Sequence, residues 1–248
     1  MAVTICHASL DENRKAKNGK AGDQTGKEVC LRKWYNKPWN CVIRFTDPKM
    51  ALKVSNCMVM AALNNNIGYD QNQRNTLLNE ARKYGYDVSK VKKPCETDCS
   101  ALVSVACMYA GISESQLTIH GNCLTTRTLR NALKASGEVE IFTTTIYTSD
   151  TKKLKIGDIL LKEGAHVVVV VQADNCPYML SSLLLRVGDK GESVKWLKWS
   201  LKEHGYSLAV DGDYGSITKK CVTDYQQKNK LLIDGIAGIQ TLGALKKG

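Results

Sequence analysis

Helical patterns in the first half of the sequence, extended patterns in the second, and a change of pattern at Leu185 predict an α+β domain followed by a small three-helix unit. The 248 residues leave room for one medium and one small domain. The expected boundaries are 1–176 for the larger domain, 177–184 for a short apolar linker and 185–248 for the smaller one. Helices first and strands second is the α+β order, with a helix packed on an antiparallel sheet.

Residues 1–47 are polar and glycine-punctuated. Asp23-Gln24-Thr25-Gly26 reads as a turn, and Trp34, Tyr35 and Trp39 cluster after it. A polar loop beside aromatic rings suits a substrate groove, with Gln24 and Trp34 as candidate contacts, or equally a corner of the core. Asp47-Pro48 starts a helix, the Asp as cap and the Pro at the first helical position, running to about Asn65. Asp70 is expected to cap a second helix that Gly85 stops after Tyr84.

The stretch Pro94 to Gly111 is a loop entering a buried helix. Asp98 is a good N-cap, Leu102, Val103 and Ala106 recur at helical spacing, and Gly111 supplies the left-handed residue that ends the run. Cys99 therefore sits in the first turn, where unpaired backbone N–H groups and the helix dipole favour the nucleophilic thiolate. A further helix is expected over Thr125 to Ser136, then strands over Val139–Tyr147, Asp158–Leu161 and His166–Gln172. His166, opening the last strand, is the best downstream base for Cys99. A cysteine at a helix N-terminus with a histidine on a neighbouring strand is the papain-like arrangement.

The third position of such a triad stays unassigned. Asp174, at about 3.3 Å per residue along a straight strand, lies more than about 2 nm from His166, and Asn175 farther still. A chain folded back there offers only Tyr178, Ser181 or Ser182. His7 and His120 are rival bases without a supporting motif, and His204 falls in the smaller domain.

Thirty-five Lys and Arg against 24 Asp and Glu leave a net charge of +11, which calls for an acidic partner. No nucleic-acid-binding motif accompanies it and the lysines are scattered, so nucleic acid is not expected as the partner; an anionic cell wall would answer the same charge, and charge alone does not choose between the polymers. No apolar run approaches the roughly 20 residues of a membrane span. The start of the sequence lacks a charged-then-apolar signal, so the protein is expected to be made in the cytoplasm, without membrane insertion, and to reach a wall only after release. Ten widely spaced cysteines without a signal peptide read mostly as reduced core residues. With no Cys-x-x-Cys pair, no metal is expected.

From Leu185 the pattern changes. Val210-Asp211-Gly212-Asp213-Tyr214-Gly215-Ser216-Ile217-Thr218 is echoed by Ile233-Asp234-Gly235-Ile236-Ala237-Gly238-Ile239-Gln240-Thr241, a repeat of 23 residues. Each Asp-Gly is a turn signal, and Ile217, Cys221, Val222 and Tyr225 form one apolar face between the turns. On the helix before them, Val194, Leu197 and Leu201 share a face while Trp196 and Trp199 point the other way at about 100° per residue. Exposed Trp196 and Trp199, with Tyr214, are candidates for stacking on sugars or docking between domains.

Asp98-Cys99-Ser100 before an apolar helix, followed by Gly157-Asp158 and His166-Val167, resembles the NlpC-type cell-wall cysteine peptidases and, more loosely, the CHAP amidase domains. Gly22 to Gly26 and Gly68 to Asn75 resemble one branch of clostridial-type phage lysins. Residues 185–247 resemble the peptidoglycan-binding domain built on repeated DGxxGxxT. The resemblance implies a phage-type endolysin, monomeric and without cofactor, whose Cys99 and His166 cleave an amide in peptidoglycan. NlpC-type enzymes imply a γ-D-glutamyl bond in the stem peptide; CHAP domains imply an N-acetylmuramoyl-L-alanine amidase. A tyrosine upstream of the nucleophile lines NlpC-type sites; Tyr86 is the candidate here, as Asp98 is beside the sulfur. A wall-binding protein that has lost its activity is the rival reading.

Overall fold

The computed structural model describes residues 2–174 and 176–246. The chain divides into two compact units, residues 3–173 and the chain from Asp174 onward. In the first, β1 (Ala2–Ala8), β2 (Val29–Lys33) and β3 (Cys41–Phe45) precede α1 (Pro48–Ala62). β4 (Ile67–Tyr69), α2 (Thr76–Arg82) and β5 (Cys95–Thr97) lead into α3 (Cys99–Ala110). Next come α4 (Glu114–Leu117), the short strands β6 (Thr118–Ile119) and β7 (Asn122–Cys123), and α5 (Leu129–Ala135). β8 (Val139–Phe142), α6 (Thr145–Thr148), β9 (Ile159–Lys162) and β10 (His166–Asp174) complete the unit.

A six-stranded sheet in the order β2-β1-β10-β9-β3-β8 forms its centre. One face carries Val3, Ile5, Val42, Leu160, Val168 and Val170 in a single apolar cluster with Trp39. Toward the other face lies α1, whose Met58 carbonyl accepts from Cys6 Sγ at 3.2 Å and whose Ser55 hydroxyl reaches the Val171 carbonyl at 3.5 Å. α1 packs in turn against α3. Both helices begin as their caps dictate: Asp47 accepts from Lys49 N–H and Asp98 from Ala101 N–H, and α3 stops at Gly111 with φ +123°.

Several expectations change. Residues 1–47, polar and glycine-punctuated and assigned no strand from the sequence, supply three of the six strands, two of them inside the sheet. Asp70 caps no helix: its carboxylate accepts from the N–H groups of Gly19, Asn72 and Gln73, and α2 starts only at Thr76. An Asx-type turn competes with a helical cap for the same carboxylate, and here the turn wins. The strand expected over 139–147 ends at Phe142; α6 then brings Tyr147 back to stack on Phe142, ring centroids 4.3 Å apart.

Arg44 and Asp158 tie β3 to the turn before β9. The guanidinium donates to both carboxylate oxygens at 2.7 and 2.6 Å, and the Asp158 side chain is fully buried. Such a fork satisfies a buried carboxylate that would otherwise be costly to desolvate.

In the second unit α7 (Glu192–Glu203), α8 (Ser216–Lys228) and α9 (Ile239–Leu245) surround Leu197, Leu201, Tyr214, Val222, Tyr225 and Leu242. Both Asp-Gly turns use the positive φ that glycine permits, +84° at Gly212 and +66° at Gly235. Each is clasped by a buried polar side chain from the preceding helix: Lys198 Nζ meets Asp211 at 2.5 Å, and Gln226 Nε2 meets Asp234 at 2.9 Å.

Trp196 is not exposed; it is fully buried in this core. The helical wheel fails because segment 177–184 is no spacer: Leu180 is buried in the same core and Ser181 N–H donates to Ser193 at the start of α7. Chain thus covers a second side of the helix. Trp199 is half-buried against that core, and Tyr214 is buried with its hydroxyl donating to the Gly235 carbonyl at 3.0 Å, so neither Trp196 nor Tyr214 presents a surface for sugars. Ile217, placed on the inner face by its spacing, is 66% exposed at the start of α8. No helix among the described residues is long and apolar enough to cross a membrane.

Candidate functional site

Cys99 opens α3 and His166 opens β10. The backbone N–H of Val167, the residue after His166, reaches the Cys99 sulfur, as does that of Ser100. Burial nevertheless pushes the Cys99 thiol up to about 12, Asp98 adds to the rise, and the two N–H groups and Arg74 only partly oppose it. The helix N-terminus alone would favour a thiolate; desolvation of the buried sulfur outweighs it, and the resting group is a neutral thiol.

His166 is held from the side. Strand β1 lies beside β10 in the sheet, and His7 Nδ1 sits 2.9 Å from His166 Nε2. The rings meet edge to face at 5.2 Å, and the Trp39 indole stacks near His166 at 6.4 Å. Burial lowers His166 to about 3 and His7 to about 4, with Arg32 and Lys37 adding to both and His7 itself to His166. Both imidazoles are therefore neutral at ordinary pH, and one proton lies between Nδ1 and Nε2. The Nδ1 of His166 is left for another partner.

Two tyrosines lie within electrostatic reach of Cys99. Tyr69 is pushed up to about 12, by burial first and Cys99 second, and its hydroxyl accepts from Gln71 Nε2 at 3.2 Å. Tyr35 is raised by burial, and the Arg32 guanidinium lies 4.6 Å over its ring.

Residues 5–176 match the family described as Endolysin-like domain. The chain belongs to that family. Residues 190–245 match a second one, described as "Putative peptidoglycan binding domain". No curated protein matches the chain. Among solved structures, a Burkholderia AP3 phage endolysin is 39% identical over 26% of this chain and 25% of its own, with a TM-score of 0.26. A fused Zn-dependent amidase/peptidase/peptidoglycan-binding protein of Clostridium acetobutylicum is 32% identical over 25% and 28%, with a TM-score of 0.25. The SleB N-terminal domain is 34% identical over 28% of this chain and 94% of its own, with a TM-score of 0.26. The chain thus spans about a quarter of the length of the first two.

Within the endolysin-like domain the remaining candidates fall elsewhere. Tyr86 does not join the group around Cys99: its hydroxyl donates at 2.6 Å to Glu114, which follows the opposite end of the twelve-residue α3. Sequence distance from the cysteine misplaced it; the tyrosines whose ionisation Cys99 opposes are Tyr69 and Tyr35. Gln24 is exposed, and its side-chain amide donates to the Ala21 and Gly22 carbonyls, closing its own loop. Trp34 packs on the sheet cluster as a core corner, its indole N–H buried without a partner. Asp98 is taken up by Ala101 N–H, the Ser100 hydroxyl and the Arg74 guanidinium, so it caps and anchors α3.

His120 stands exposed on the β6–β7 turn with φ +51°, and His204 Nδ1 pairs with the Ser200 carbonyl in the second unit. Asn175 lies outside the described residues. Ser181 is engaged with Ser193 in the second unit. The residue that meets His166 is His7, whose one sequence signal is the alternation Val3-x-Ile5-x-His7 that places it on the apolar face of a strand.

Proposed function

We propose that this chain is a peptidoglycan hydrolase of the endolysin kind, with Cys99 as nucleophile, His166 as general base and acid, and His7 as the group that orients His166. The observation that carries this reading is the 2.9 Å contact between His7 Nδ1 and His166 Nε2, beside the Val167 N–H that reaches the Cys99 sulfur. For His166 Nδ1 to accept a proton, Nε2 must bear the hydrogen and donate it to His7. That fixes the tautomer and ring orientation, the task of the third member in papain-like sites.

The chemistry then starts from neutral partners. The Cys99 S–H proton passes to His166 Nδ1 as sulfur bonds to the amide carbon, and the carbonyl electron pair becomes the oxyanion. The N–H of Ala101 serves the Asp98 cap and that of Ser100 reaches the sulfur, which leaves the Cys99 N–H at the start of α3 for the developing charge. His166 returns the proton to the leaving nitrogen as the C–N bond breaks. Water, deprotonated by the same imidazole, cleaves the thioester and restores the thiol. The second unit, by its family match, keeps the enzyme on its polymer and raises local concentration without adding chemistry.

The resemblance to NlpC-type enzymes supports a γ-D-glutamyl bond in the stem peptide, and the likeness to CHAP domains an N-acetylmuramoyl-L-alanine bond. The buried, strongly raised thiol favours a second reading, a wall-binding protein without activity. Clearing of purified walls separates the two. Wild type is expected to clear a susceptible wall and Cys99→Ser to lose at least about 10³-fold; equal clearing, or none by either, overturns the hydrolase. Mass spectrometry of the released muropeptides then identifies the bond from its new termini.

A further inference from the structure

The segment Gly68 to Asn75 makes an unusual set of connections at Arg74. Its guanidinium forks onto Asp98, Nε to one carboxylate oxygen and Nη2 to the other at 3.1 Å. Nη2 also meets the Ser100 hydroxyl at 2.9 Å and the Leu124 carbonyl at 2.7 Å, and Nη1 donates to the Cys123 carbonyl at 2.8 Å. Arg74 and Asp98 expose only 14% and 12% of their side chains, so this is no loose surface pair.

Capping α3 requires one acceptor for Ala101 N–H, which the Asp98 oxygen provides at 2.7 Å. An asparagine would cap about as well. The full negative charge of Asp98 is therefore surplus to capping, and it stands next to the residue whose thiol must give up its proton. We propose that Arg74 is a positioning residue for Cys99: it locks the Asp98 carboxylate into the cap of α3 and cancels that charge beside the sulfur. This rests on the reading of Cys99 as nucleophile. Through Cys123 and Leu124 the same guanidinium fixes the β7 segment to the start of α3, so the turn before Cys99 is clamped from two sides. The direction of the electrostatics agrees, since Asp98 raises the Cys99 thiol and Arg74 lowers it.

Site-resolved alkylation of Cys99 by iodoacetamide, quantified on its own peptide by mass spectrometry across pH 7–10, tests this without any wall substrate. Arg74→Met is expected to slow the reaction about tenfold at fixed pH, the effect of a one-unit rise in thiol pKa. Adding Asp98→Asn is expected to restore it to within about twofold, because the cap remains and the charge is gone. A purely structural Arg74 predicts no such rescue. An unchanged rate in Arg74→Met, or a loss that Asp98→Asn fails to reverse, overturns the proposal. Asp98→Asn alone keeps the test decisive if Arg74→Met does not fold: it is expected to speed alkylation at least about threefold, and an equal or slower rate overturns the proposal. Wall clearing by the same preparations is scored separately, so a failed hydrolase reading and a failed role for Arg74 give different results.

Discussion

The paired imidazoles of His7 on β1 and His166 on β10 make the larger unit acid-sensitive in a way that one substitution isolates. Burial holds His7 at about 4 and His166 at about 3, against about 6.5 for an exposed histidine in the unfolded chain. Between those values the folded protein binds fewer protons than the unfolded one. Stability from this source is complete above about pH 6.5 and is lost as pH falls through the window toward 4. At pH 5, about 1.5 units below the unfolded value and about 1.4 kcal/mol per unit, His7 contributes a loss of about 2 kcal/mol.

Glu96 has the opposite slope, since burial lifts its carboxyl to about 8 and the folded state there binds more protons than the unfolded one. The wild-type acid profile is a sum of opposed terms, so the informative quantity is the difference from His7→Gln. Calorimetric melts of both proteins at pH 7 and pH 5 are the assay. A domain of this size moves by about 2–4 °C per kcal/mol, so the larger unit of wild type is expected to lose about 4–8 °C more than that of the variant. Equal shifts refute the reasoning, because His7 would then titrate in the folded protein as it does in the unfolded chain.

Glu96→Gln mimics the protonated acid and keeps an acceptor for Gly22 N–H; between pH 5 and pH 7 wild type is expected to lose about 2–3 kcal/mol that the variant keeps, read from urea midpoints. Arg44→Met strands the buried Asp158 carboxylate and is expected to destabilise the larger unit by about 3–5 kcal/mol in the same measurement. Trp196→Ala is expected to cost the second unit about 3–5 kcal/mol, seen as early melting of α7. A loss below about 1 kcal/mol contradicts its place in the core.

The helices that begin at Asp47-Pro48 and at Asp98, and the glycine that ends α3, were legible because capping is local chemistry between residues a few positions apart. The second unit was legible for the same reason, since Asp-Gly turns announce themselves. Strands β1 to β3 were missed although Val3-x-Ile5-x-His7 alternates and Cys41-Val42-Ile43-Arg44-Phe45 is a short apolar run. The surrounding polar loops masked them.

By itself the sequence determined where helices start and stop, which cysteine stands at a helix N-terminus, and the three-helix plan of the second unit. Tertiary structure decided the rest. His7 and His166 are 159 positions apart and meet only because β1 lies beside β10. Trp196 is buried because a segment expected to be a linker packs into the same core. Neither strand order nor desolvation has a local signature: both depend on which distant surfaces exclude water together, and only the folded chain specifies that.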